Sequence, residues 1–162
     1  MHKIYVGLGA NLGQRLLTLK GAFEAMKNIP STFNWQISKV YESIPEHREG
    51  PDYLNAVACA ETELEPQRLL DYLLSLEHEF GRRKHEDRSR ELDLDLLDYN
   101  GEILEKQSPD LILPHPRLHS RWFVLKPMCD INSKWMHPVL DKTAQELLDV
   151  TDNKGREFNG CI

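Results

Sequence analysis

The spacing of hydrophobic and polar residues changes several times along the chain, and each change predicts a new element. KIYVGLGA near the start alternates as a strand does and ends in a glycine-rich turn. After it, Leu12, Leu16, Leu19 and Phe23 recur at helical spacing, and Pro30 stops the pattern. The same reasoning predicts, in order, a strand over 3–10, a helix over 12–29, strands over 33–44 and 53–62, a helix over 66–80 and a strand over 92–99.

The pattern is weaker in the C-terminal third of the chain. Asn100-Gly101 is typical of a hairpin turn. Short extended pieces are predicted around 103 and 111–113, followed by helices around 119–125 and near 143–150. The tail from Asp152 to Ile162 is polar, and we expect it to be frayed.

The predicted order of elements indicates the fold class. Strand, helix, strand, strand, helix, strand is the ferredoxin-like βαββαβ order, an α+β sandwich in which helices pack on an antiparallel sheet. The remaining residues form a C-terminal extension. Neither a repeat nor a break in composition marks a linker, so we expect one domain over residues 1–162.

Composition narrows the classes of partner. No apolar run approaches the roughly 20 residues of a membrane span, and the N-terminus does not resemble a signal peptide. The formal net charge of −6 argues against a general nucleic-acid binder. The three cysteines are odd in number and lack metal-ligand spacing, which favours a reducing compartment. We therefore expect a cytoplasmic, monomeric protein with no membrane or nucleic-acid partner.

The stretch RELDLDLLDY at 90–99 carries the first candidate chemistry. In a strand, Asp93 and Asp95 lie on one face, about 6.6 Å apart along the chain, while the leucines pack on the other. Two such carboxylates can hold one or two Mg²⁺ ions together with substrate phosphates. The alternative is an exposed edge strand whose solvent face is acidic. Since like charges on one face repel, that alternative is mildly unfavourable.

A basic cluster directly precedes the aspartates. Within nine positions the chain places Arg82, Arg83, Lys84, His85, Arg88 and Arg90. Such a run is usually a solvated loop, but arginine beside carboxylate-held Mg²⁺ suits a polyphosphate. His115 and Arg121, in the segment PHPRLHSRWF, can add donors to the same phosphates, although a proline-fixed surface loop explains them too.

Common nucleotide motifs do not explain these residues. The chain has no G-x-x-x-x-G-K-[ST], which excludes a P-loop. Gly7, Gly9 and Gly13 miss the dinucleotide-binding spacing, so we interpret them as a turn and as close helix–strand packing. A nucleotide site must be built in another way.

Four segments together resemble one family, the 6-hydroxymethyl-7,8-dihydropterin pyrophosphokinases of folate biosynthesis. They are PDYLNAV (51–57), LEHEFGR (76–82), RELDLDLL (90–97) and LPHPRLHSRWFVLKPM (113–128), in the order that the family has them. The resemblance implies a ferredoxin-like fold and transfer of pyrophosphate from MgATP to the pterin, with release of AMP. It implies ATP and 6-hydroxymethyl-7,8-dihydropterin as substrates and two Mg²⁺ ions as cofactors.

The resemblance also assigns roles to single residues. It implies that Asp93 and Asp95 bind the metal ions and that four residues are catalytic, namely Arg82, Arg90, His115 and Arg121. The implied ATP contacts are Glu77, Arg82, Lys84, Arg90, Leu96, His115 and Arg121. The implied pterin contacts are Ser43, Pro45, Tyr53, Asn55, Asp93 and Phe123. Core packing is the alternative for Tyr53 and Phe123, and a helix-surface acid is the alternative for Glu77.

The chain departs from the family pattern in several places, none of which removes a metal ligand. Asp87 and Arg88 stand where a glycine is usual, and Lys84 stands where arginine is common. Ala10 replaces a serine, and the segment from Ser43 to Pro45 is altered. Three other functions stay open: a palm-like nucleotidyl transferase, a ligand-binding regulatory domain of the same fold, and a degenerate member of the family.

Overall fold

The computed structural model describes residues 1–46, 50–81, 91–108 and 111–162 of the chain. The elements are β1 (His2–Ala10), α1 (Arg15–Met26), β2 (Thr32–Ile37), β3 (Tyr41–Ser43), β4 (Tyr53–Thr62), α2 (Pro66–Glu79), β5 (Asp93–Tyr99), β6 (Leu104–Ser108), β7 (Leu111–Leu113), α3 (Trp122–Asn132), α4 (Ala144–Asp149) and β8 (Gly155–Glu157). A turn of 3₁₀ helix over Leu118–Ser120 precedes α3. None of the described helices meets the length and hydropathy that a bilayer span needs.

The main sheet has the predicted ferredoxin-like topology. Its strands run in the order β5-β1-β4-β3-β8, with β2 also paired to β4, and the pairs are antiparallel. β1 and β4 form the centre, so the strand that carries the aspartates, β5, lies directly beside β1. The α+β class predicted from the sequence is confirmed.

The strand predicted over 33–44 is two strands, β2 and β3, and Ser38 explains the break. Its hydroxyl accepts a hydrogen bond from the backbone N–H of Val57 at 2.9 Å. Its own N–H donates to the Val57 carbonyl at 2.9 Å. A side chain thus takes over one rung of the ladder, which interrupts regular pairing between the two strands. β2 then pairs with the C-terminal half of β4, and β3 pairs with its N-terminal half.

Each face of the sheet supports its own hydrophobic core. Ile4, Val6 and Leu8 of β1 face α1 and α2, where Leu19, Phe23, Leu69 and Leu73 are buried. Residues on the opposite pleat, such as Tyr5 and Val57, face α3 and α4. Because successive strand residues point to opposite faces, Leu94 and Leu96 of β5 join the first core, whereas Asp93 and Asp95 face the second layer, where Leu97 is also buried.

The C-terminal tail was predicted to be frayed, but the structure shows it paired with the sheet. Within it, β8 pairs with β3 in the register Ser43↔Gly155, and Phe158 N donates to the Val40 carbonyl at 2.8 Å. Arg156 forms an ion pair with Glu42 at 2.6 Å. The open edge of β3 offers backbone groups that need partners, and this backbone pairing leaves no hydrophobic pattern in the sequence.

The turn predicted at Asn100-Gly101 is present, but the hairpin is not. Both residues have positive φ angles, 54° and 69°, and Glu102 N donates to the Tyr99 carbonyl at 2.9 Å. The strand that follows, β6, pairs with β7 in a separate two-stranded sheet. The residues of the turn therefore determine that the chain reverses direction, whereas tertiary packing determines which strand β6 pairs with.

Candidate active site

The floor of the candidate site is the pairing between β5 and β1. Asp93 lies opposite Gly9 and Asp95 lies opposite Gly7. The alternate residues Leu92, Leu94 and Leu96 are buried in the first core. The two carboxylates therefore share one face of the sheet, as the sequence predicted.

Glycine in β1 keeps the space beside the aspartates open. A Cβ on Gly9 would lie 3.5 Å from Cδ1 of Tyr53 and 3.6 Å from Oδ1 of Asn55. Any side chain at this position would therefore project into the space between Asp93 and β4. Of the three glycines, Gly13 lies in the predicted turn with a φ of 64°, whereas Gly7 and Gly9 lie inside β1.

Asn55 and Ser43 form a polar wall at the β3–β4 side. Both are buried, and Nδ2 of Asn55 donates to Oγ of Ser43 at 2.8 Å and to the Tyr41 carbonyl at 3.3 Å. These bonds fix the orientation of the amide, so its carbonyl oxygen is the group that can accept from a ligand. Ser43 acts at this site by holding Asn55.

Aromatic and apolar side chains line the same end. Tyr53, Phe123 and the buried Pro45 border the cleft together with Asn55. A flat heterocycle gains apolar burial and ring stacking from such walls. Core packing alone does not describe Tyr53 and Phe123, because both are only half-buried and face the cleft.

Arginines form the opposite wall, where α3 begins. Arg121 is 9% exposed, and its Nη2 lies 2.7 Å from Oε1 of Glu46. Its Nη1 lies 3.9 Å from Oδ2 of Asp95, and its guanidinium stands 5.3 Å from the centre of the Phe123 ring. Arg117 also faces Glu46, at 3.8 Å. The aspartate that is predicted to bind metal thus adjoins a fixed cation.

His115 is neutral at pH 7. Burial, and then the positive charges of Arg121 and Arg117, lower its pKa to about 4. Its Nδ1 accepts from the backbone N–H of Arg117 at 3.2 Å. The proton of the neutral ring is therefore on Nε2, which makes that atom a hydrogen-bond donor without a positive charge.

These walls enclose a cleft of about 490 Å³. That volume lies within the usual range for ligand sites, roughly 300–1,000 Å³. The structure brings nine of the predicted site residues to it: Ser43, Pro45, Tyr53, Asn55, Asp93, Asp95, His115, Arg121 and Phe123.

Two described site residues predicted from the sequence, Glu77 and Leu96, do not line this cleft. Glu77 is on the buried face of α2, and Leu96 is in the first core, both in the layer across the sheet. Arg82, Lys84 and Arg90 fall outside the described residues, as do Asp87 and Arg88. The ATP contacts predicted for Arg82, Lys84, Arg90, Glu77 and Leu96 stay predictions.

Sequence reasoning missed Glu46, Arg117 and the role of the two glycines. Gly7 and Gly9 occupy alternate positions of a predicted strand. Glycine weakens a strand, so its use there can indicate that a ligand or another part of the chain approaches the backbone closely. Glu46 left no comparable pattern. Its contact with Arg121 joins residues 75 positions apart in the chain.

The residues present fit Mg²⁺. Asp93 and Asp95 offer hard oxygen ligands on one face, and the glycines opposite them leave the space above the strands open. Among the described residues, no group of three or more His, Cys, Asp or Glu side chains gathers into a complete metal site. Two carboxylates with room for substrate oxygens and water are the donor set that Mg²⁺ uses when it carries a phosphate substrate.

The family model for 7,8-dihydro-6-hydroxymethylpterin-pyrophosphokinase (HPPK) matches residues 5–133. The chain belongs to this family. The 2-amino-4-hydroxy-6-hydroxymethyldihydropteridine pyrophosphokinase of Haemophilus influenzae is 36% identical over 157 residues, covering 96% of this chain and 97% of that protein. Transfer of pyrophosphate from ATP, the reaction of a pyrophosphokinase, requires Mg²⁺.

Other relatives are much longer than this chain. The folic acid synthesis protein fol1 of Pneumocystis carinii is 41% identical over 138 residues, which are 84% of this chain but 18% of that protein. A crystal structure of an HPPK-DHPS protein in complex with substrates superposes with a TM-score of 0.71 at 11% identity, over 91% of this chain and 43% of that one. The HPPK part thus occurs within longer chains as well as alone, and the structural likeness supports the same fold.

Proposed function

We propose that this chain transfers pyrophosphate from MgATP to 6-hydroxymethyl-7,8-dihydropterin and releases AMP. The observation that carries the proposal is the composition of one cleft. Its one end has carboxylates and arginine for a metal-bearing polyphosphate, and its other end has aromatic and amide groups for a flat, polar heterocycle. Family membership supports the same assignment.

The pterin is assigned to the end at Tyr53, Asn55 and Phe123. Its ring carries N–H and C=O groups in one plane, so it needs an apolar face and in-plane partners. The Asn55 carbonyl oxygen accepts from a ring N–H because the amide nitrogen is already used by Ser43. Asp93 borders this end too. It would lie beside the hydroxymethyl group and help to hold the metal.

The triphosphate is assigned to the end at Asp95, His115 and Arg121. The pterin hydroxyl oxygen attacks the β-phosphorus and gives up its proton to solvent, the bond between that phosphorus and the α–β bridging oxygen breaks, and the electron pair leaves with AMP. Arg121 supplies a full positive charge to the transferred group, while neutral His115 supplies a hydrogen bond from Nε2. Such a transfer depends on positioning and charge neutralisation, so no activated nucleophile is needed.

Asp93 and Asp95 would hold Mg²⁺, and the proposal includes two ions, as the resemblance implies. When bound, the metal neutralises phosphate charge and orients the phosphates. The predicted ATP contacts of Arg82, Lys84, Arg90, Glu77 and Leu96 belong to the same proposal. So does action as a cytoplasmic monomer without nucleic-acid or membrane partners, for which the three free cysteines and the acidic net charge are the support.

Identifying the products is the test. The chain is mixed with MgATP and 6-hydroxymethyl-7,8-dihydropterin, and the nucleotide released is separated by chromatography. We expect AMP in proportion to pterin consumed. Free pyrophosphate without AMP would instead support the nucleotidyl transferase, and no turnover would support the regulatory domain or a degenerate enzyme.

Asp95→Asn tests the carboxylate pair within this function. It removes a charge from a half-exposed side chain, so the fold should persist, and turnover should fall at least roughly 100-fold, the loss typical of removing one electrostatic stabiliser. Asp152→Asn, an exposed change of the same type, is the control. Pterin-dependent AMP release at the wild-type rate in Asp95→Asn would contradict the metal assignment.

A further inference from the structure

Glu46 lies across the phosphate end of the cleft. Its Oε1 lies 2.7 Å from Nη2 of Arg121 and 3.8 Å from Nη1 of Arg117. The segment that carries it leaves β3, whose last residue, Ser43, holds Asn55 at the pterin end. The segment from Ser43 to Glu46 therefore runs from the pterin end of the cleft to its phosphate end.

Arg121 explains why a carboxylate is there. Its side chain is 9% exposed, and a buried cation is costly unless an anion is close. Glu46 at 2.7 Å is nearer to it than Asp95 at 3.9 Å. The geometry between Glu46 and Arg121 is that of a charge-assisted hydrogen bond, the same bond that a phosphate oxygen makes with arginine.

The base of this segment is held independently of Glu46. Arg15 donates to Oε2 of Glu42 at 2.7 Å and to the Asp52 carbonyl at 2.9 Å. It therefore links residues 42 and 52, which flank Glu46 in the chain. Asn11 donates to the Pro51 carbonyl at 3.1 Å. Glu46 itself is 46% exposed. It can leave Arg121 while the flanks stay in place.

We propose that Glu46 is an internal substitute for a phosphate group, and that the nucleotide displaces it from Arg121. The proposal rests on the assignment of the triphosphate to this end of the cleft. A polyphosphate bound at Nη2 of Arg121 would bring its anionic oxygens beside the Glu46 carboxylate, 2.7 Å from the same nitrogen, and these like charges repel. Binding therefore includes the loss of the Glu46–Arg121 bond.

The consequence is that Glu46 lowers the affinity for nucleotide. Part of the binding free energy is used to break an existing ion pair, as in any equilibrium in which the binding-competent state is not the ground state. Without the carboxylate, Arg121 is open to the phosphates from the start. Removing the charge at position 46 should thus tighten nucleotide binding, although it deletes a group from the site.

The experiment is isothermal titration with the Mg²⁺ complex of α,β-methylene-ATP. This analogue has carbon in place of the bridging oxygen that leaves in the reaction, so it is not cleaved. We compare the wild type with Glu46→Gln and Glu46→Ala, and use Glu63→Gln as the control. Glu63 is exposed and follows the end of β4 that lies away from the cleft.

We expect both Glu46 variants to bind about fivefold more tightly, which corresponds to about 1 kcal/mol, and Glu63→Gln to bind as the wild type does. The gain should shrink at high salt, because it is a charge effect. Equal or weaker binding by either folded Glu46 variant, checked by circular dichroism, would overturn the role of Glu46 while wild-type binding upholds the nucleotide site. Failure of the wild type and all variants to bind would overturn the nucleotide site itself, and the role of Glu46 with it.

Discussion

At the scale of single residues, one buried carboxylate, Asp98, lowers the stability of the fold when it is ionised. Asp98 is 2% exposed, and its Oδ2 accepts from Nε1 of Trp135 at 3.2 Å and from Gly101 N at 3.3 Å. Oδ1 is buried without a hydrogen-bond partner among the described residues. Burial, the largest cause, raises the pKa of this carboxyl.

Asp98→Asn should therefore stabilise the fold at pH 7. Asparagine keeps an acceptor for Trp135 and Gly101 but removes the ionisation. Because the folded pKa lies above the unfolded one, the wild type loses stability as pH rises from about 4 through the folded pKa. Urea unfolding should show the variant more stable than the wild type at pH 7, with the difference shrinking below about pH 4. A difference that does not change with pH would contradict this account.

His115 gives a second prediction at this scale. Its lowered pKa means that it should titrate near pH 4 in the free protein, and two-dimensional NMR of the ring nitrogens measures this directly. The sign is opposite to that of Asp98: the contribution to stability is present above about pH 6.5 and is lost as pH falls toward 4. Addition of Mg²⁺ with α,β-methylene-ATP should raise the pKa, because phosphate favours the charged ring. Titration near pH 6.5 in the free protein would contradict a half-buried ring beside the charges of Arg121 and Arg117.

At the scale of elements, β1 and β5 make the site possible by pairing glycine against aspartate. Gly9→Ala tests this directly. The added Cβ meets Tyr53 at 3.5 Å and Asn55 at 3.6 Å, ordinary contacts that the fold tolerates. Unfolding free energy should change little or rise by about 0.5 kcal/mol, while KM for the pterin rises because the methyl group enters its space.

Gly7→Ala is the matched comparison for that variant. The three atoms nearest to its Cβ would all belong to the Leu97 side chain, the closest at 3.5 Å, so KM for the pterin should change less than in Gly9→Ala. Equal effects of the two changes on KM would argue against a specific role for Gly9.

The elements also show what sequence patterns can predict. β4 was predicted with its observed bounds and β5 within one residue, because β4 is a largely apolar run buried on both faces and β5 begins with alternating aspartate and leucine. The break between β2 and β3 and the pairing of β8 were missed. Both depend on hydrogen bonds between residues distant in sequence, Ser38 with Val57 in one case and the tail with β3 in the other.

For the whole molecule, family and fold were predicted correctly from four short segments, and the comparisons confirm both. The arrangement of the cleft followed from strand alternation for Asp93 and Asp95. Its counter-charges did not, because Glu46 and Arg117 meet only in the folded chain. The sequence thus predicted which functional groups the site contains, but not which ion pairs these groups form when no ligand is bound.

The central claim is that this cleft breaks ATP between the α- and β-phosphates, with attack at the β-phosphorus. ATP that carries ¹⁸O in the α–β bridge tests it, with mass spectrometry of the products after turnover with 6-hydroxymethyl-7,8-dihydropterin. Because the bond from the β-phosphorus to the bridging oxygen breaks, the label should leave with AMP. Label found in free pyrophosphate would mean attack at the α-phosphorus, and would contradict the account.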